Sequence, residues 1–162
     1  MIKYRPVVVD LFCGAGGFSL GFKQAGFHNF IGFDTNHYCG RVYEHNLGVF
    51  RDDDVKEIHL LTLKEMLKGG YPTILIASPP CQLFSSNNSY SRLGTPSENM
   101  YDYGIGDAMM LKAIKRIIEN IRPEFFALEN VKGYASCDRS KEVKNFLYWP
   151  VSYTHLTLPT KA

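Results

Sequence analysis

Residues 6 to 12 read PVVVDLF and run directly into CGAGG at 13 to 17, with FSLGFKQAG behind them. Three consecutive valines between a proline and a glycine cluster predict a buried strand, because branched side chains fit a pleated surface better than a helix. The glycines predict a tight turn, and 18 to 26 a helix that Gly26 can end. A strand, a glycine turn and a helix in that order constrain the fold, and the unit returns. HNFIGFD (28–34) predicts a second strand, HYCGRVYEHNL (37–47) a helix, and the neighbourhood of Val55 a third strand. TLKEMLK (62–68) is helical in period, Gly69 and Gly70 stop it, and PTILIA (72–77) is an apolar strand that ends at Pro-Pro-Cys. Residues 84–104, rich in Ser, Asn, Gly and Tyr, predict a long loop of the kind that often carries function. DAMMLKAIKRIIENI (107–121) then predicts a helix ahead of Pro123, and EFFALENV (124–131) another buried strand.

Alternation on this scale implies an α/β fold, a mostly parallel sheet with helices on both faces, because parallel strands need crossover helices. The 162 residues, 45% hydrophobic and 14% aromatic, suffice for one domain with a sizeable core. A formal charge of +2 neither indicates nor excludes a nucleic-acid partner. Cys13, Cys39, Cys81 and Cys137 lie far apart with no C-x-x-C pair. Neither a metal site nor a disulfide scaffold is expected, and a reducing, cytoplasmic setting fits. Asp10 interrupts the first apolar run too early for a signal peptide or a membrane span.

Ligands of such sheets bind at the carboxyl ends of the strands, where four features of this chain fall: the 13–17 turn, Asp34, Cys81 and Glu129. Gly14 and Gly16 follow the first strand as in dinucleotide folds, but Ser19 stands where the third glycine of G-x-G-x-x-G belongs. A nucleotide-dependent dehydrogenase is therefore disfavoured. Asp34 lies at the end of the second strand, where a carboxylate can accept both hydroxyls of a ribose, so a nucleoside cofactor without a pyrophosphate fits. The plainer alternative is that the glycines only make a turn and Asp34 caps the next helix.

Cys81 follows Pro79 and Pro80, which restrict the backbone, so a reactive thiolate would lose little freedom on meeting its target. Its alternative is a buried, inert thiol, against which the polar neighbours Ser78, Gln82, Ser85 and Ser86 argue. Glu129 closes the run EFFAL and precedes Asn130, and it can equally be an ordinary exposed acid or cap. If the strands ending near Cys81 and Glu129 are neighbours, about 5 Å apart, both side chains can face one small planar substrate.

DLFCGAGGFSLGF, SPPCQLFS and FFALENVKG, in this order and spacing, resemble three signature motifs of the cytosine-5 DNA methyltransferases, which use S-adenosylmethionine. The resemblance runs from about residue 7 to about residue 147. It implies a Rossmann-like methyltransferase fold, with Phe12, Gly14 and Gly16 approaching the cofactor, Asp34 taking the ribose hydroxyls, and Asp54 with Val55 near the adenine. Asp53 is the alternative to Asp54. It further implies that the Cys81 thiolate attacks C6 of a cytosine flipped out of double-stranded DNA, while Glu129 engages N3, and that Pro80, Gln82 and Asn130 shape the pocket. The 84–104 loop is the candidate lid.

The chain also departs from the family. YGIGDAMML replaces the usual Asp-x-Arg pattern, and Thr35 stands where an aromatic residue often stacks on adenine. The family continues with an arginine-bearing motif, a target-recognition region and a C-terminal segment, for which no counterpart follows here. Residues 1–148 are thus expected to be the catalytic and cofactor-binding portion of a truncated enzyme, incomplete at the C-terminus. Residues 149–162 resemble a translated sequencing adapter or cloning scar and are set apart as a non-native tail. The expected function is a DNA cytosine-5 methyltransferase of restriction-modification or phage kind, bacterial, archaeal or phage-encoded. It is expected to be monomeric at full length and to be paired with a restriction endonuclease counterpart. Two alternatives stay open: a tRNA cytosine-5 methyltransferase, and a non-catalytic cofactor-binding subunit or half of a split enzyme.

Overall fold

A computed structural model of the protein describes residues 6–67, 73–80, 99–130 and 146, with side chains from 109 onward in the 99–130 stretch. Its strands are β1 (Val7–Leu11), β2 (Asn29–Phe33), β3 (Val49–Arg51), β4 (Thr73–Ala77) and β5 (Phe125–Leu128). All pair in parallel, in the order β3-β2-β1-β4-β5. Helices α1 (Gly17–Gln24), α2 (His37–Asn46), α3 (Leu60–Met66) and α4 (Asn99–Ile121) connect them.

The valine run is explained by burial on both faces. Val7, Val9 and Leu11 pack with Leu63 of α3 and Ile114 and Ile117 of α4, whereas Val8 points the other way, onto Tyr43 of α2 and Phe22 of α1. Side chains that alternate between two covered faces must be apolar at every position, which is why β1 shows no polar alternation. Asp10 is the exception on that strand, and it is fully buried.

Two expectations are corrected. The third strand is Val49–Arg51, not the neighbourhood of Val55. Val55 is 2% exposed, but it is buried by a turn that folds into the core, so its apolar character reported burial and not extension. The long loop expected to reach 104 ends earlier, because α4 begins at Asn99. Gly104 and Gly106 each cost about 1 kcal/mol relative to alanine in a helix interior, yet extending a helix already nucleated over the apolar 109–121 stretch is cheap. Residues 84–98 and the 149–162 tail lie outside the described residues.

The order of the strands positions the site. From β1 the chain winds outward to β2 and β3, then returns across to β4 and β5 on the other side. The crevice at such a reversal, above the carboxyl ends of β1 and β4, is where open α/β sheets take their ligands.

Candidate cofactor and active site

The carboxyl ends of the sheet are stitched together by ladder bonds that run beyond the strands. The amide of Cys13 donates to the carbonyl of Phe33, Asp34 to Arg51, Ser78 to Leu11, and Glu129 to Ala77, at 2.9 to 3.3 Å. These bonds fix the first residues past β1, β2, β4 and β5 relative to one another, which turns four loop starts into one rigid rim.

Along that rim the β1–α1 loop turns sharply. Phe12 has φ 61° and Gly14 φ 50°, both left-handed. A non-glycine residue there stores strain of order 1–2 kcal/mol, so the position of Phe12 is held by its surroundings. Gly16, at φ 93°, precedes α1, and a Cβ on it would lie 2.2 Å from Cδ1 of Leu47 and 2.9 Å from Cδ2 of Tyr43. Helix α2 is therefore what demands glycine at position 16. Nothing lies within 4 Å of a Cβ built on Gly14. Its amide donates to Oδ2 of Asp34 at 2.8 Å, while Oδ1 accepts the amide of Asn36 at 2.8 Å. Asp34 thus ties the glycine loop to β2. The cap of α2 is Asn36, whose side chain accepts from the amides of Tyr38 and Cys39.

A cleft of about 280 Å³ opens at this rim. Its walls include Phe12, Asp34 and Thr35 from one side, Asp53, Asp54, Val55 and Lys56 from the turn after β3, and Ser78, Pro80 and Met110 from the other side. Four of the six residues expected at the cofactor, Phe12, Asp34, Asp54 and Val55, therefore share one cleft, whereas Gly14 and Gly16 are not among its lining residues, Gly14 reaching it only through its hydrogen bond to Asp34. Asp53 and Asp54 both line it. Asp53 pairs with Arg51 at 3.1 Å, and Asp54 pairs with Lys56 at 3.1 Å and also accepts the Lys56 amide.

The second half of the site lies on β4 and β5. Ala77 pairs with Leu128, so Glu129 is one residue beyond β5 beside the strand that leads into Ser78, Pro79 and Pro80. Glu129 is exposed, and the side-chain amide of Asn130 donates to the carbonyl of Pro79 at 3.2 Å, which ties the end of β5 to the proline pair. Cys81 and Gln82 lie outside the described residues.

A buried polar cluster beneath the glycine loop was missed in the sequence. The hydroxyl of Ser19 donates to Oδ2 of Asp10 at 2.6 Å and shares a 3.0 Å hydrogen bond with the hydroxyl of Tyr43. All three residues are at most 1% exposed, and Oδ1 of Asp10 has no hydrogen-bond partner among the described residues. Burial pushes the Asp10 carboxyl up to about 7, opposed by the Ser19 hydrogen bond and reinforced by the nearby Asp34 charge. Burial also raises the Cys13 thiol and the Tyr43 phenol. Cys13 is consequently an inert core thiol. Ser19, read from the sequence as a broken glycine motif, has its own purpose here, and the signal that could have found it is the acid inside VVVDL.

The parallel order, the left-handed glycine loop and the acidic end of β2 define a Rossmann-like fold of the methyltransferase class. The chain belongs to the C-5 cytosine-specific DNA methylases, which match residues 7–148. It is 30% identical over 141 residues to the type II methylase M.HgiDII of Herpetosiphon aurantiacus, covering 86% of this chain and 37% of that protein. With the type II methyltransferase M.HgiGI of the same organism it shares 32% identity over 130 residues, covering 76% of this chain and 89% of that one. A crystal structure from E. coli, described as a candidate DNA modification methyltransferase encoded within a prophage, superposes with TM-score 0.65 at 25% identity, covering 90% of this chain and 37% of that one. The chain thus spans little more than a third of the length of M.HgiDII and of the prophage protein. Among the described residues no helix is long and apolar enough to cross a membrane, and no group of His, Cys, Asp and Glu is arranged to hold a metal.

Proposed function

We propose that this chain carries the catalytic half of a DNA cytosine-5 methyltransferase, with the described cleft as its S-adenosylmethionine site. The observation that carries the reading is the pairing of β4 with β5, which sets the Pro79–Pro80 approach to Cys81 beside Glu129. The cleft suits the cofactor: Asp34 keeps an accepting lone pair on each oxygen after its two backbone amides, enough for two ribose hydroxyls, and Phe12, Val55 and Met110 offer apolar surface for a base. S-adenosylmethionine, when bound, supplies an electrophilic methyl group.

The chain's own residues supply the rest. C5 of cytosine is a poor nucleophile until a group adds across the ring, and the Cys81 thiolate forms that bond at C6. Glu129 donates a hydrogen bond or proton at N3, so the electron pair displaced from the C5–C6 bond is held in the ring and becomes available at C5. Once C5 carries the methyl group, with S-adenosylhomocysteine as the leaving group, a base takes the C5 proton. The C5–C6 double bond re-forms as the thiolate leaves C6, and N3 returns any proton it took to Glu129. The reacting carbon is inaccessible in a duplex, so the cytosine must be flipped out, with Pro80, Gln82 and Asn130 shaping its pocket. The type II names of the relatives extend this reading to a restriction-modification role with an endonuclease counterpart.

Transfer of tritiated methyl groups to duplex DNA and to tRNA tests the proposal. Transfer to DNA that Cys81→Ser abolishes, with cofactor binding retained, is the expected result. Undiminished transfer by that variant would remove Cys81 as nucleophile, and selective transfer to tRNA would replace the substrate.

A further inference from the structure

The wall of the cleft that carries Asp54 and Val55 is a short turn, and one side chain from a distant helix grips it. Arg116, on α4, donates from Nη2 to the carbonyls of Lys56 and Ile58, each at 3.1 Å, across about 60 residues of sequence. Its Nε is buried without a hydrogen-bond partner among the described residues, while the side chain as a whole is half-buried. From inside, the turn is closed by Asp54, which accepts the Lys56 amide, and by the Glu57 amide, which donates to the Asp54 carbonyl. Val55 and Ile58 flank the turn as buried anchors. Six residues before Arg116 on the same helix, about 9 Å along its axis, Met110 lines the cleft itself.

We propose that Arg116 is a positioning residue for the cofactor cleft, holding from α4 the turn that presents Asp54 and Val55. This rests on the reading of the cleft as the S-adenosylmethionine site. Two N–H groups of one guanidinium nitrogen, held in the guanidinium plane, satisfy two carbonyls two residues apart and so set both the distance and the orientation of the turn, whereas the donors of an ammonium rotate about its stem. Because Met110 belongs to the same rigid helix, the two walls of the cleft are kept in a constant relation. Without Arg116 the turn remains closed by Asp54 but is free to tilt away from the cleft, so the cofactor must order it on binding and affinity falls.

The test is calorimetric titration with S-adenosylhomocysteine of the wild-type protein, Arg116→Met, Arg116→Lys and, as a control, Ile117→Val, which trims a fully buried core residue beside Arg116. All are compared well below their melting temperatures. The expected result is a Kd raised about tenfold in Arg116→Met and less in Arg116→Lys, the scale of a lost charge-assisted hydrogen bond. Ile117→Val should lower the melting temperature and leave Kd unchanged. An Arg116 that is merely structural would behave as Ile117 does, and equal Kd values for wild type and Arg116→Met overturn the inference. An equal loss of affinity in Ile117→Val overturns it as well. Should Arg116→Met fail to fold, unchanged affinity in Arg116→Lys serves the same purpose. Failure of the wild-type protein to bind removes the cleft reading itself, and is told apart because every variant then behaves alike.

Discussion

The amide of Gly14 donates to Oδ2 of Asp34 over 2.8 Å and twenty residues of sequence, and so joins the turn after β1 to the end of β2. Asp34 therefore holds the loop, and under the proposed reading of the cleft it also presents its remaining lone pairs to the cofactor. Asp34→Ala removes both. Each lost backbone bond is worth about 1 kcal/mol, so stability should fall by about 1–2 kcal/mol and S-adenosylhomocysteine affinity by more than about tenfold. Urea unfolding and calorimetric titration report the two effects separately. Unchanged affinity in a folded Asp34→Ala protein would show that the carboxylate serves only the loop.

Gly16 gives a different kind of prediction, because the position is strained as well as crowded. An alanine there adopts a left-handed φ and meets the Leu47 side chain at 2.2 Å. Gly16→Ala should cost about 2–3 kcal/mol, combining left-handed strain with overpacking. In a Leu47→Ala background the clash with Leu47 is relieved but the strain persists, so the penalty should shrink by about 1 kcal/mol without vanishing. A double-mutant cycle in urea measures this coupling, and a coupling of zero would mean that Leu47 moves aside freely.

How much of this was legible in the sequence differs by residue. The strand ends were readable because apolar runs stop at glycine, aspartate or proline, and Phe12, Asp34 and Pro80, each just past such an end, line one cleft. β3 was not readable. It has three residues, its Val49 is half-exposed, and the apolar signal that stood in for it came from Val55, which a turn buries. The contacts of Arg116 lie about 60 residues away, so no window of sequence contains both partners, whereas Asp10 and Ser19 are only nine residues apart and meet because the 13–17 turn folds α1 back along β1. An arginine within KAIKRII looks like any helix surface residue until β3 and its turn are in place.

Glu129 sits at the end of β5 with its backbone bonded to Ala77 and its side chain exposed. Glu129→Gln should consequently leave stability within about 0.5 kcal/mol, since an exposed side chain contributes little to packing. Methyl transfer should fall by about 100-fold or more, the scale of a lost general acid. S-adenosylhomocysteine affinity should be unchanged, because Glu129 is not part of the cofactor cleft. A fall in that affinity matching the fall in transfer would move Glu129 from the cytosine to the cofactor.

Asp10 makes folding proton-linked. Its carboxyl titrates near 7 in the folded protein and near 3.8 when exposed, so between these values the folded state holds a proton that the unfolded state has released. Stability from this group is complete below about pH 4 and declines as pH rises toward 7, with a total on the order of 4 kcal/mol. The groups facing it all act in the folded state: Asp34 at the end of β2 raises its pKa, the buried Cys13 and Tyr43 are neutral across this range, and Ser19 from α1 lowers it. Asp10→Asn keeps an acceptor for the Ser19 hydroxyl and carries no titrating proton. The variant should therefore gain stability relative to wild type on passing from pH 5 to pH 8, by urea unfolding at both values. Ser19→Ala removes the hydrogen bond that favours the charged carboxylate, and so should carry the decline to higher pH. Parallel pH dependence in wild type and Asp10→Asn would show instead that the Asp10 carboxylate is ionised throughout, with an ordered water or a neighbouring donor satisfying Oδ1.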